Sequence, residues 1–305
     1  MGAYVLKRVA RSILTLIAIT MVVFVLTHLL GNPVAMLLPA DASNELLNYT
    51  RHSLGLDDPL IVQFQRFVVD ALQGDFGPSL FQGVSSRDLL VRSLPATGLL
   101  AGTAFIFASV IGLTLGILAA LKPRSWLDNA VSLVSITGVS IPEFWLALLL
   151  IVFVAIPSNF LPTAGYGTPL HLILPAIVLS IRPLGRIAQI ARGAMVDELR
   201  QPYVVTAHSK GLPVRTIIRR HVLKNAGIPI VTIAGIEVVD LLSGAIIVES
   251  VFGWPGVGWL AGNALRAMDF PLIQTVVVWA ALVTVTVNLL VDLSYAWLNP
   301  RVGNQ

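Results

Sequence analysis

Long apolar runs separated by short charged stretches dominate the chain. A helix needs about 20 apolar residues to cross the hydrocarbon core of a bilayer. Five runs meet that length: Ser12 to Leu30, Leu94 to Leu121, Ala130 to Ile156, Ala226 to Val251 and Pro271 to Leu298. A sixth, Leu170 to Ile181, is apolar for only twelve residues before Arg182, Pro183 and Arg186 interrupt it. That length suits a buried or re-entrant helix as well as a span.

The distribution of charge decides between these. Lys7, Arg8 and Arg11 precede the first run, so the positive-inside rule places the N-terminus in the cytoplasm. Residues 31–93 hold four arginines, no lysine and seven acids, which marks an extracytoplasmic loop. Lys122 and Arg124 return the chain to the cytoplasm, residues 157–171 have no Lys or Arg, and residues 182–224 carry nine. A crossing must lie between the last two segments, so the short run becomes the fourth span, extended over about residues 170–192 by snorkelling arginines. The expected fold is all-α: residues 1–305 form one polytopic membrane domain with six transmembrane helices, both termini cytoplasmic, and a cytoplasmic loop over residues 193–225. The first apolar run is longer than the usual signal-peptide core and is read as a helix that stays in place. Gly98 with Gly102 and Gly112 with Gly116 give two small-xxx-small pairs for close helix packing in the second span.

Composition agrees with a bilayer as solvent: 56% of residues are apolar and 12% charged, and mean hydropathy is +0.83. Soluble domains have about 25% charged residues. The net charge of +4 follows the loops rather than one patch, which argues against nucleic acid as a partner and for membrane topology. There is no cysteine, so thiolate nucleophiles, disulfides and cysteine-bound metals drop out. No G-x-x-x-x-G-K-[ST] loop is present for nucleotide binding. The five histidines are scattered with no metal-binding spacing. Ser140 and Asp292 lack the motif context of intramembrane hydrolysis. The expectation is a protein that is not an enzyme and holds no metal or cofactor of its own.

Ionisable side chains at membrane depth are costly and usually face a cavity or a partner. Glu143 beside Pro142, Glu237 and Asp240 on one helical face, and Asp292 in the last span are therefore candidates for a polar translocation path. The same carboxylates also suit interhelical pairing with Arg182 or Arg186. The basic segment from Pro202 to Ala226 reads as two short helices joined at Gly211-Leu212-Pro213, because glycine ends helices and proline starts them. Such an elbow suits a groove in a cytosolic partner or, alternatively, anionic lipid headgroups.

At these residues the chain resembles the inner-membrane permeases of ABC importers, specifically the B-type subunit of the dipeptide/oligopeptide/nickel family. The resemblance runs over nearly the whole chain. Its strongest part is the cytoplasmic coupling (EAA) loop: Tyr203-Val204-Val205-Thr206-Ala207, Lys210-Gly211-Leu212 and Arg220-His221-Val222-Leu223-Lys224-Asn225-Ala226. Further matches are Gly74-Asp75-Phe76-Gly77 with Ser79-Leu80, the run from Gly138 to Trp145, Leu161 to Gly167, Glu249 to Gly258, Asp269-Phe270-Pro271, Asn288 to Asp292, and Asn299-Pro300-Arg301. Val205 and Lys224 depart from the widest ABC-permease pattern, and Asn299 replaces a more common Asp.

The resemblance implies a permease that pairs with a homologous second permease, two ATP-binding subunits and an extracytoplasmic solute-binding protein, with ATP and Mg held by the partner ATPases. Short peptides are the expected cargo, with nickel or a metal–opine chelate as the alternative. A reading from another class is an ion-coupled secondary carrier. The resemblance implies ATPase coupling through Tyr203, Thr206, Ala207, Lys210, Gly211, Leu212, Arg220, His221 and Asn225. Asp57, Asp58 and Asp75 in the long external loop are the candidates for docking the binding protein.

Overall fold

The computed structural model describes residues 2–30, 42–53, 55–158, 160–243 and 245–298. Its helices, in chain order, are α1 Gly2–Leu30, α2 Asn44–Ser53, α3 Leu60–Gln73, α4 Ser86–Leu121, α5 Trp126–Ser140 and α6 Glu143–Ser158. They continue as α7 Pro169–Leu199, α8 Pro202–Ser209, α9 Val214–Leu242, α10 Ile246–Phe252, α11 Val257–Ala267 and α12 Phe270–Leu298. Five helices, α1, α4, α7, α9 and α12, are long and apolar enough to cross a membrane, and the pair α5–α6 makes a sixth crossing if taken as one span.

The structure departs from the simple run-equals-helix reading at three places. The third apolar run is bent by 102°. Proline disfavours the helical region for the residue before it, and Ile141 is extended, with φ −75° and ψ 125°, so α6 restarts at Glu143. The fifth run stops as a helix at Leu242 and resumes as the short pair α10–α11. The ambiguous short run is part of the 31-residue α7, which continues through Arg182 and Arg186. Pro175 and Pro183 lie inside it, as membrane helices tolerate.

Helix α7 is the hub, packed on α4, α5 and α9. Its contact with α4 rests on Ala104, Ala108, Gly112, Gly116 and Ala120, a stripe of small residues at four-residue spacing, all buried. A Cβ at Gly112 would lie 2.9 Å from the Leu184 carbonyl oxygen, and one at Gly116 would lie 2.5 Å from that of Ala188. By contrast, Gly98 and Gly102 have no atom within 4 Å of such a Cβ, so this second glycine pair packs against nothing among the described residues. Helix α5 approaches α7 through Gly185, where a Cβ would sit 2.7 Å from the Ser135 carbonyl oxygen. The same contact is tied by Arg192 of α7, which donates through Nε and Nη2 to the buried Asp128 at the start of α5. Helix α1 sits at the periphery, joined to α12 by an Arg8–Asp292 ion pair of 2.8 Å and to α3 by Phe24 against Phe64 and Phe67.

Candidate functional site: a charged cavity linked to an exposed elbow

Three of the four intramembrane acids meet. Glu143 at the restart of α6 and Glu237 and Asp240 of α9 line a cavity of about 480 Å³ together with Arg182 of α7. Leu179, Leu241, Ile246 and Ile247 form its apolar wall. Proline placed Glu143 there, because the break at Ile141-Pro142 turns the chain into the bundle. Arg186 donates through Nη1 to Glu237 Oε1 at 3.1 Å and stands 3.7 Å from Asp240 Oδ2. Arg182 stands 3.8 Å from Glu143 Oε1. The cavity is thus a charged chamber whose acids also form the interhelical ion pairs with Arg182 and Arg186. Asp292 does not line it; its carboxylate is engaged by Arg8 of α1.

The elbow is built from the adjoining ends of α7 and α9. Helix α8 ends at a tight turn in which the Gly211 N–H bonds to the His208 carbonyl. Gly211 has φ +74°, a conformation side chains resist. After Pro213 the chain enters α9 directly: the second short helix expected from the sequence is the first turn of the span, continued through a π-helical turn at Ile218–Val222. Val204, Ala207, Ile217, Val222 and Ala226 pack with Met195 of α7 and Ala120 of α4 into one apolar cluster.

Polar contacts complete the joint. Tyr203 donates its hydroxyl to Glu198 Oε2 at 2.5 Å, and Asn225 donates to the same oxygen at 3.3 Å. Burial first, and the neighbouring carboxylate second, raise the Tyr203 phenol above its ordinary pKa, so it remains a donor. The candidate coupling residues therefore divide. Tyr203, Ala207 and Asn225 hold the elbow together, while Thr206, Lys210, Gly211, Leu212, Arg220 and His221 are exposed on its surface.

In the segment before α4, Asp57 is held by Arg51 at 3.0 Å and His52 at 2.9 Å, and Asp58 by Arg66 at 2.8 Å. Asp75 accepts from the Gly77 N–H at 2.9 Å. All three candidate docking acids thus have local work in shaping this segment.

Two buried carboxylates escaped the sequence reading as site residues. Asp269 and Glu249 are each 1% exposed. Asp269 caps α12 and accepts from Ser79 Oγ, from the Leu80 N–H at 3.1 Å and from the Leu272 N–H at 3.4 Å. It fastens the segment before α4 to the last span. An aspartate directly before a helix that carries proline in its first turn is an N-cap signal that could have found it. Replacing Asp269 with alanine leaves those buried donors without an acceptor, at about 1–3 kcal/mol each. The expected result is rapid proteolysis between Pro78 and Ser86 under conditions where the parent resists; equal resistance contradicts the anchoring role.

The carboxylate of Glu249 in α10 accepts from Thr97 Oγ1 at 3.0 Å and from the Trp259 N–H at 2.8 Å. Thr97 Oγ1 in turn accepts from the Val257 N–H at 2.7 Å. Next to it Trp254, 1% exposed, donates its indole N–H to the Ala96 carbonyl at 2.9 Å. The Glu249-to-Gly258 motif is thus a clamp that joins α10, α11 and α4.

A family model described as "Binding-protein-dependent transport system inner membrane component" matches residues 112–304, and the N-terminal model of the same system matches residues 1–83. The chain belongs to this family of transport-system inner-membrane components. Family members work with ATPase and binding-protein partners. The Glutathione transport system permease protein GsiC of Salmonella paratyphi A is 37% identical, with 98% of each chain covered. A "Probable peptide ABC transporter permease protein" of Sinorhizobium fredii is also 37% identical, over 99% of each chain. A "Probable D,D-dipeptide transport system permease protein", DdpB of Escherichia coli, is 36% identical over 95% of this chain and 94% of its own.

Among solved structures, one described as inward-facing conformations of the MetNI methionine ABC transporter superposes with a TM-score of 0.56. It covers 69% of this permease and 96% of that chain at 21% identity, which establishes the shared fold. The motif Asn299-Pro300-Arg301 lies outside the described residues.

Proposed function

We propose that this permease forms one half of the translocation path of an ATP-driven importer for short peptides, delivered by an extracytoplasmic solute-binding protein. The relatives named for peptide, glutathione and D,D-dipeptide transport support that cargo class. The second half of the path comes from a homologous permease, and two ATPase subunits with their ATP and Mg grip the elbow from the cytoplasm. The seven Lys and Arg of residues 192–224 favour that side as cytoplasmic, and with it cytoplasmic termini and an external loop over residues 31–93.

One observation carries the mechanism. Helix α8 is packed into the ends of α7 and α9, and these same two helices carry Arg182, Glu237 and Asp240 to the cavity wall, with Arg186 paired to Glu237. A displacement of α8 by closing ATPases therefore reaches the charged chamber through two stiff helices rather than through loops. Alternating access is then a rigid-body shift of these helices, driven by differential binding of nucleotide and of loaded binding protein to the two states.

Uptake of labelled di- and oligopeptides by a deletion strain carrying the complete transporter tests this reading, with one variant to test coupling. Gly211→Val suits it better than a change at Ala207, because Ala207 is buried in the elbow's core whereas Gly211 is exposed. A branched side chain at φ +74° distorts the α8–α9 turn. The expected outcome is normal membrane insertion with loss of ATPase co-purification and of uptake. ATPases co-purifying at parental level with Gly211→Val contradict the coupling role, and ATP-independent peptide accumulation by the chain alone favours an ion-coupled carrier.

A further inference from the structure

The charge inside the cavity is unevenly spent. Arg186 is committed to Glu237, whose side chain is 2% exposed. What remains open to the chamber is one guanidinium, Arg182, and two carboxylates, Glu143 and Asp240. Their nearest cationic atoms lie at 3.8 and 3.7 Å, beyond hydrogen-bonding range, and Asp240 is 49% exposed. Each carboxylate offers about four lone-pair sites. Among the described residues no hydrogen bond to either carboxylate is shorter than these contacts. The formal sum over Glu143, Glu237, Asp240, Arg182 and Arg186 is three negative against two positive charges, one cation short.

The missing cation needs a chemistry these groups can serve. Among the described residues no three carboxylate or imidazole groups converge as metal ligands, and two guanidinium groups stand between the acids. A primary ammonium group fits better, since it presents three donors to separate acceptors and tolerates nearby guanidinium groups. The cavity volume of about 480 Å³ falls in the usual range of about 300–1,000 Å³ for small-molecule sites. Leu179, Leu241, Ile246 and Ile247 leave room for small apolar side chains.

We propose that Glu143 and Asp240 form a transit subsite for the α-ammonium end of the peptide, with Arg182 of α7 beside them for its carboxylate end. This rests on the peptide-permease reading and gives the chamber a direction: the ammonium group enters the gap between α6 and α9. A zwitterion is neutral overall yet costly to desolvate at both ends, and this wall meets both charges.

The chain has no cysteine, so Ser243→Cys provides a single labelling point on the cavity wall. The complete transporter in nanodiscs, without binding protein and with an environment-sensitive dye at that position, is titrated with alanyl-alanine, alanyl-alaninamide and N-acetyl-alanyl-alanine. The complex containing the cysteine-free chain is the blank. Loss of one charge-assisted pairing corresponds to about tenfold or more in affinity. The expected result is therefore about tenfold weaker binding than alanyl-alanine both for the acetylated peptide, which lacks the ammonium, and for the amide, which lacks the partner of Arg182. Glu143→Gln combined with Asp240→Asn brings the acetylated peptide within about twofold of alanyl-alanine and leaves the amide weaker than both.

A purely structural role for the two acids would weaken all three peptides alike and leave their ratio unchanged, which overturns the subsite. Equal binding of free and acetylated peptides by the parent, or no saturable signal with any of them, overturns it too. Peptide uptake by cells is read in parallel: uptake that persists alongside acetylation-indifferent binding refutes the subsite alone, whereas no peptide uptake at all refutes the cargo reading beneath it.

Discussion

Glu249→Ala is expected to unfasten α10 and α11 from the bundle and to deplete the permease from the membrane fraction. The carboxylate is 1% exposed and occupies the space in front of the α11 N-terminus. It accepts there from the Trp259 N–H directly and orders the Val257 N–H through Thr97. The first N–H groups of any helix lack intrahelical partners, and at membrane depth water does not replace them.

Gly256 is the counterpart of this clamp: a Cβ at Gly256 would collide with the Glu249 carboxylate itself. Truncation to alanine leaves a void, a buried Thr97 hydroxyl and at least one orphaned N–H, each unsatisfied buried donor costing about 1–3 kcal/mol. Glu249→Gln keeps one acceptor oxygen but points an NH2 at backbone donors, so an intermediate loss is expected. Membrane abundance and the melting midpoint of the purified complex are the measurements. A Glu249→Ala complex with parental abundance and midpoint would refute the clamp.

The clamp also shows why part of the site was hidden in the sequence. Helical runs, the basic elbow and the acids at membrane depth each announce themselves by local pattern, and Glu143, Glu237 and Asp240 do converge on one cavity. Their grouping is legible because a buried charge needs a partner, and Arg182 and Arg186 are the cations available within the spans. Glu249 and Asp269 act instead across 152 and 190 positions of chain, on Thr97 and Ser79. No local periodicity records such pairings.

The same limit explains Asp292, which shares the composition signal of a path residue but faces Arg8 of α1. The break in the third run was legible in Pro142, whereas the end of α9 at Leu242 is marked in sequence only by Ser243-Gly244, and glycine is also common inside membrane helices. Exposure divides the elbow in a way that sequence cannot: adjacent positions of one short helix, Thr206 and Ala207, have opposite roles because only Ala207 packs in the cluster with Met195.

The packing of α4 on α7 sets the second large expected effect. Gly116→Leu should abolish assembly of a stable permease, and even Gly116→Ala should reduce its melting midpoint. A single Cβ at Gly116 lies 2.5 Å from the Ala188 carbonyl oxygen and 2.9 Å from the Ala191 Cβ. Neither neighbour can rotate away, since one is backbone and the other is fixed to the helix. The helices must separate, at a cost of about 1–3 kcal/mol for added methylenes in a packed core, and more when backbone blocks the way.

The series is graded by geometry. Gly112→Ala meets the Leu184 carbonyl at 2.9 Å and should cost less than Gly116→Ala, while Gly98→Ala and Gly102→Ala meet nothing within 4 Å and should leave the folding of this chain unchanged. Two glycine pairs that look alike in sequence are thereby separated by experiment, and equal effects at Gly98 and Gly116 would contradict the α4–α7 contact described. A displaced α7 also carries Arg182 and Arg186 with it. Any Gly116 variant that still reaches the membrane is therefore expected to lose peptide uptake and to weaken ATPase binding with it, because Ala120 of α4 and Met195 of α7 are part of the elbow's own cluster.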